Sequence, residues 1–205
     1  MIKAIVFDLG GVLFDLDTDA CIRAFREGLG YEKIVEILDK CHQKGIIGQL
    51  ECGELSADEF RSEVLRESRP DAGPDDVDRA FCALLAGFPQ EKADLIRELS
   101  RHYALYILTN NNPITMVRSH EMMAERGLDW QHVFKAEFVS CEMKMLKPSR
   151  EIYAEMVRRV GLPAGEILFI DDSQNNVDAA RAVGIQAVFY PEGTPLRPLV
   201  EAALC

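Results

Sequence analysis

Residues 2–13 read Ile-Lys-Ala-Ile-Val-Phe-Asp-Leu-Gly-Gly-Val-Leu, and this stretch decides the fold. Residues 2–7 are short, mostly apolar and rich in β-branched side chains, and the run stops abruptly at Asp8-Leu9-Gly10-Gly11. Such a run, bounded by turn residues, reads as a strand buried on both faces, as in a parallel sheet. Three more follow the same plan, at residues 104–108, 167–170 and 187–190, with a weaker fifth at 136–139. Amphipathic helical stretches separate them at residues 89–100, 113–126, 149–160 and 173–183. Gly127, Gly161 and Gly184 sit where the last three should stop. Strands alternating with helices predict an α/β fold: a doubly wound, Rossmann-like parallel sheet with right-handed crossovers.

One stretch breaks the rhythm. Between about residues 16 and 88 no segment reads convincingly as a strand, whereas helical periodicity is plentiful. Ser56-Ala57-Asp58-Glu59 is a capping box ahead of a helix carrying Phe60, Val64 and Leu65. Pro74 suits the first turn of another, continued by Val77, Phe81, Leu84 and Leu85. Residues 21–40 give one or two more, with a break at Gly28 or Gly30. The expected organisation is a core from residues 1–15 and 89–205, interrupted by a helical insertion at 16–88.

Composition narrows the function. The 205 residues are 48% hydrophobic and 28% charged, ordinary for a globular chain and far from a disordered one. A chain of this length buries roughly 70% of its unfolded surface and needs no disulfide or metal staple to fold. The net charge of −11 disfavours nucleic acid and anionic membranes as partners. The amino-terminal run contains Asp8 and lacks the charged start and cleavage site of a signal peptide. No apolar run reaches the ~18 residues a membrane span needs. Six cysteines, at 21, 41, 52, 82, 141 and 205, show no Cys-x-x-Cys spacing, and Cys41 beside His42 makes no zinc pattern. Free thiols in the cytoplasm are the expectation.

In open parallel sheets, ligands bind beyond the carboxyl ends of the strands. Asp8 follows the first strand, Thr109-Asn110-Asn111-Asn112 the 104–108 run, and Asp171-Asp172 the 167–170 run. Each alone is an ordinary turn; three at one sheet edge point to a shared site. Converging carboxylates repel one another unless a hard divalent cation joins them, and an all-oxygen set suits Mg²⁺. A carboxylate beside Mg²⁺ can attack phosphorus and form an aspartyl phosphate. The transferred group then needs donors, which Thr109 and Asn110 offer, and a cation. Lys147, at the loop-to-helix junction made by Pro148, is the candidate, with Lys144 as its competitor.

Together, FDLGGVL, ILTNN, LKPSREIY and FIDDSQNNVDAA resemble the haloacid dehalogenase superfamily, in order and spacing, over nearly the whole chain. The resemblance implies a phosphatase of small phosphorylated metabolites, a monomer or homodimer, with the insertion as its helical cap. Asp8 would be the nucleophile and a metal ligand, and the Gly10 carbonyl, Asp172 and Asp171 would complete or support the Mg²⁺ shell. Gly11, Thr109, Asn110 and Lys147 would hold the phosphoryl group, and Asn176 would order the loop or a metal-bound water. The superfamily's metal-free 2-haloacid dehalogenases lack the strand-ending acidic pair, so Asp171 and Asp172 argue against that activity. In the cap, Asp15 and Asp17 lie at the first hinge and Gly87-Phe88-Pro89 at the second. Arg23, Arg26 and Lys44 read first as solvated helix charges and second as substrate contacts. Phe25 and Phe60 read as cap core, and Trp130 joins no constellation.

One position departs from the family pattern. Its phosphatases usually carry a second Asp two residues after the nucleophile, as general acid and base, and Gly10 stands there. Losing that function typically costs ~10²–10⁴-fold. Asp15 or Asp17 could supply the proton, the leaving group could need little help, or the chain could be a binding or regulatory module. Residues 8–17 fit the Asp-Leu-Gly-x-Val-x-x-Asp-x-Asp pattern of the superfamily's sugar-phosphate phosphatases acting on α-glucose 1-phosphate, which favours catalysis.

Overall fold

The computed structural model describes residues 1–38, 45–191 and 193–204; Cys41, His42, Lys44 and Cys205 lie outside them. The chain runs β1 (Ala4–Phe7), β2 (Asp15–Leu16), α1 (Thr18–Arg23) continued by a π-helical turn (Ala24–Leu29), α2 (Ile34–Ile37), α3 (Gly45–Glu51), α4 (Ala57–Leu65), α5 (Pro74–Cys82) and β3 (Leu85–Gly87). It continues α6 (Gln90–Leu99), β4 (Ala104–Thr109), α7 (Pro113–Glu125), α8 (Trp130–Val133), β5 (Phe134–Val139), α9 (Ser140–Met143) and α10 (Arg150–Val160). It ends β6 (Ile167–Asp171), α11 (Gln174–Ala182), β7 (Gln186–Phe189) and α12 (Leu196–Leu204).

All four residues of β1 are buried because strands flank both its edges and helices cover both its faces. The five-stranded sheet is parallel with order β5-β4-β1-β6-β7. From β1 the chain winds outward through β4 and β5, then crosses back to build β6 and β7 on the other side. That reversal puts the ligand crevice of a doubly wound sheet beyond the carboxyl end of β1, where Asp8 stands.

The period-2 alternation of β1 divides the core. Ile5 and Phe7 join Leu95, Ile96 and Leu99 of α6, Met116 and Met123 of α7, and Leu196 and Val200 of α12. Ala4 and Val6 join Ile152, Tyr153 and Met156 of α10 with Val177 and Ala180 of α11.

The insertion packs its own cluster. Phe25, Ile47, Leu50, Phe60, Val64 and Phe81 are fully buried together, and Ile114 of α7 reaches in from the core. Phe60 stacks on Phe81 with centroids 5.3 Å apart. Its α-helices run four to nine residues, well below the ~12–15 an isolated helix needs, so this shared cluster holds them in place.

One correction concerns its ends. The sequence shows no convincing strand between residues 16 and 88, yet β3 lies there and pairs antiparallel with β2, Asp15 opposite Gly87 and Leu16 opposite Leu85. Strands of two and three residues are too short for alternation to register. Among the described residues no helix is long and apolar enough to cross a membrane.

Candidate active site

Phe7 pairs with Ile107 on one side and Ile170 on the other, so Asp8, Thr109 and Asp171 stand at one edge of the sheet. The Asp8 backbone N–H continues the ladder to the Ile170 carbonyl at 3.0 Å. Its side-chain Oδ1 accepts from Leu9 N at 2.7 Å, which turns the carboxyl back over the strand end.

Lys147 is the hub. Its Nζ lies 2.9 Å from Asp8 Oδ1 and 2.7 Å from Asp171 Oδ2, and its side chain is 1% exposed. Asn110 clamps its backbone from two sides: Lys147 N donates to Asn110 Oδ1 at 2.8 Å, and Asn110 Nδ2 donates to the Lys147 carbonyl at 3.0 Å. The Asn110 amide, expected from the sequence to be a phosphoryl donor, here positions the lysine. Lys144 is exposed and ends α9 with a left-handed backbone, φ 55°, so the two candidates separate cleanly. Asp171 is wholly buried; its other oxygen accepts from Ser173 N at 2.8 Å and from Asn176 Nδ2 at 2.9 Å. Asn176 thus holds the carboxylate that holds Lys147.

Asp8, Asp171 and Asp172 each offer an oxygen within 4.8 Å of the others. Gly11, with φ +75°, makes room for this: a Cβ there would stand 2.0 Å from Asp172 Oδ2. Thr109 is buried at the same edge. Three carboxylates around one ammonium leave two formal negative charges. Burial would lower the Lys147 pKa, but Asp171 and Asp8 together hold it above its ordinary value. Burial, reinforced by Asp171 and Asp172, outweighs Lys147 at Asp8 and pushes that carboxyl up to about 7. An oxygen-only donor set with two uncompensated charges, and a glycine cradle at Asp172, fits Mg²⁺.

The sequence reading missed a fourth carboxyl. Glu51, the last residue of α3, is 9% exposed, and burial followed by repulsion from Asp8 pushes its pKa up to about 8 against the pull of Lys147. A signal existed: on a helix burying Ile47 and Leu50, Glu51 occupies the same inward face.

The hinge acids are engaged elsewhere. Asp15 pairs with Lys92 Nζ of α6 at 2.9 Å, and Asp17 caps α1 by accepting from Ala20 N at 2.7 Å. Arg23 is exposed, and Arg26 pairs with Glu32 at 2.6 Å. Phe25 and Phe60 are core, and Trp130 stacks on His120 with centroids 3.6 Å apart.

Known proteins resemble this chain at three levels: family, sequence and structure. A family model described as haloacid dehalogenase-like hydrolase matches residues 2–184. The chain is 34% identical, over 94% of its length and 93% of the relative's, to D-ribitol-5-phosphate phosphatase of Bacteroides thetaiotaomicron. It is 30% identical to a sesquiterpene phosphatase of Aspergillus oryzae, over 89% and 87% of the two chains. Among solved structures, a HAD family enzyme of Bacteroides thetaiotaomicron in complex with magnesium and inorganic phosphate superposes with a TM-score of 0.89 at 31% identity, covering 97% of this chain and 99% of that one.

Proposed function

We propose that this chain, which belongs to the haloacid dehalogenase-like hydrolases, is a Mg²⁺-dependent phosphatase that hydrolyses small phosphorylated metabolites, sugar phosphates first, through a phosphoaspartate on Asp8. The observation that carries this reading is Lys147 Nζ held between Asp8 and Asp171 where β1 and β6 end. The relative named for D-ribitol 5-phosphate supports a polyhydroxylated leaving group.

An Asp8 oxygen attacks phosphorus, the bond from phosphorus to the metabolite oxygen breaks, and that oxygen takes a proton. Water then attacks the phosphoaspartate, releasing phosphate and restoring the carboxylate. Lys147 opposes charge on Asp8 and on the phosphoryl oxygens, with Asp171 and Asn110 fixing its two ends. Thr109 and Gly11 line the phosphoryl position. Asp8, Asp172 and the Gly10 carbonyl are the groups that would hold Mg²⁺, with Asp171 supporting that shell and Lys147. When bound, the ion supplies the positive charge that keeps Asp8 ionised and offsets that of the phosphate.

Residues 16–88 act as a cap over this edge, and residues 1–15 with 89–205 form the catalytic core. The insertion's separate hydrophobic cluster and its two-stranded neck support that division. The four described cysteines are free, which fits work in the cytoplasm.

A phosphate-release screen over sugar phosphates and nucleotides, with Mg²⁺ and with EDTA, tests the reading beside an Asp8→Asn control. Mg²⁺-dependent release that Asp8→Asn abolishes is expected. No Mg²⁺-dependent turnover on any compound, or turnover surviving Asp8→Asn, overturns it.

A further inference from the structure

We propose that Glu51, carried by the insertion, is the general acid and base of this phosphatase, the role that Gly10 cannot fill. The proposal rests on the phosphoaspartate reading above and extends it.

Gly10 carries no proton and faces Leu16 of the neck. A Cβ at residue 10 would stand 3.2 Å from Leu16 Cδ1, so a side chain there would need Leu16 to shift by a few tenths of an ångström. Asp15 and Asp17 are committed to Lys92 and to the α1 cap. Asp171 has its oxygens occupied by Lys147, Ser173 and Asn176. Among the described residues Glu51 is the buried carboxyl left, and the charges of Asp8 and Lys147 both act on it.

Its position is fixed by tight backbone contacts. Ser140 Oγ donates to the Glu51 carbonyl at 2.6 Å and accepts from Asn111 N at 3.0 Å, tying the end of α3 to the loop that carries Asn110. Two residues on, Gly53 has φ +69° and packs so closely that a Cβ would lie 2.1 Å from the Cys141 carbonyl oxygen. A side chain with a Cβ cannot sit there, so the α3 turn is pressed directly onto the core.

The chemistry follows from direction. In-line attack by Asp8, at the sheet edge, sends the leaving oxygen away from the sheet and toward the insertion. Glu51 comes from that side, and burial among carboxylates favours its protonated form. In the first half-reaction the Asp8–phosphorus bond forms, the phosphorus–leaving oxygen bond breaks, and the Glu51 proton passes to that oxygen. In the second, water oxygen bonds to phosphorus, the Asp8–phosphorus bond breaks, and the water proton returns to Glu51.

The test compares Glu51→Gln and Glu51→Asp with the wild type, as full chains with Mg²⁺, on glucose 6-phosphate and on acetyl phosphate. A sugar alkoxide needs a proton to leave and acetate does not. Glu51→Gln should lose ~10²–10⁴-fold in kcat on the sugar phosphate. With acetyl phosphate it should form the phosphoenzyme at near the wild-type rate and then accumulate it, detected by intact mass, because water activation is lost. Glu51→Asp, which keeps the carboxyl, should recover part of the sugar-phosphate rate and guards against a Gln variant that merely misfolds. Equal losses on phosphoenzyme formation from both substrates, or a Gln variant within about threefold of wild type on both, overturns the proposal and leaves the phosphatase reading standing. A wild type that never forms the phosphoenzyme and releases no phosphate overturns the phosphatase reading itself.

Discussion

Gly11 shows how a residue without a side chain shapes this site. At φ +75° an alanine carries about 1–2 kcal/mol of backbone strain, and its methyl carbon would fall inside the Asp172 carboxylate, at 2.0 Å from Oδ2. Gly11→Ala should therefore displace Asp172 as well as lower stability. The expected outcome is a rise of tenfold or more in the Mg²⁺ concentration giving half-maximal activity, together with a modest fall in Tm. A Tm loss with an unchanged Mg²⁺ requirement would show that the strain is absorbed elsewhere. Asp8, Lys147, Asp171 and Asp172 are all legible in the sequence, because each ends or follows an apolar run, or stands in the turn just ahead of a helix, whose geometry sets its position. Glu51 is legible only as an inward-facing residue of its helix, since Asp8 and Lys147 are far from it along the chain and only tertiary packing brings their charges to bear on it. Asn110 is legible as a residue of this sheet edge, but not as the clamp on the Lys147 backbone, for the same reason.

Among the elements, the neck is the one that sequence patterning hides. β2 and β3 are too short to show alternation, and their pairing follows from the insertion folding back on itself. Long core elements behave oppositely: α10, amphipathic along its length, is visible from its period and ends at Gly161 as expected. The neck is also where Asp15 meets Lys92, which is 6% exposed on α6 and lies 5.9 Å from the Tyr190 ring. The Asp15 side chain is 58% exposed, so water screens its half of the pair, and Asp15→Asn should lower stability by no more than about 1 kcal/mol. By sequence Asp15 is a candidate proton donor; in the structure its carboxylate is held by Lys92. Asp15→Asn should keep kcat on the sugar phosphate within about threefold of wild type. A loss of a hundredfold would return Asp15 to the proton-transfer step and weaken the case for Glu51.

For the whole molecule, the −11 charge matters less to ligand choice than the balance inside one buried cluster. In the metal-free protein, Asp8 is raised from 3.8 to about 7 and Glu51 from 4.5 to about 8, burial being the first cause in each. The folded chain therefore keeps protons that the unfolded chain has released. The stability these groups contribute is fully present below pH ~4, near the unfolded values, and is lost as pH rises through about 7 and 8. Lys147 is raised from 10.5 and titrates above this window. Mg²⁺ binding to the ionised carboxylates should reverse the trend, adding RT ln(1 + [Mg²⁺]/Kd), about 2.7 kcal/mol at a hundredfold excess over Kd. Thermal melts from pH 5 to 9 should thus fall steeply in EDTA and stay flatter in Mg²⁺, with the two curves diverging most at the alkaline end. Asp8→Asn removes one of the two protonation sites and part of the metal shell, so it should flatten the EDTA curve and shrink the Mg²⁺ gain together. Parallel curves in EDTA and Mg²⁺, or an Asp8→Asn profile identical to wild type, would mean that the carboxyl cluster is not what couples metal, protons and folding here. Since the same cluster sits at the crevice created by the strand-order reversal, that coupling ties the catalytic charge balance to the stability of the sheet that positions it.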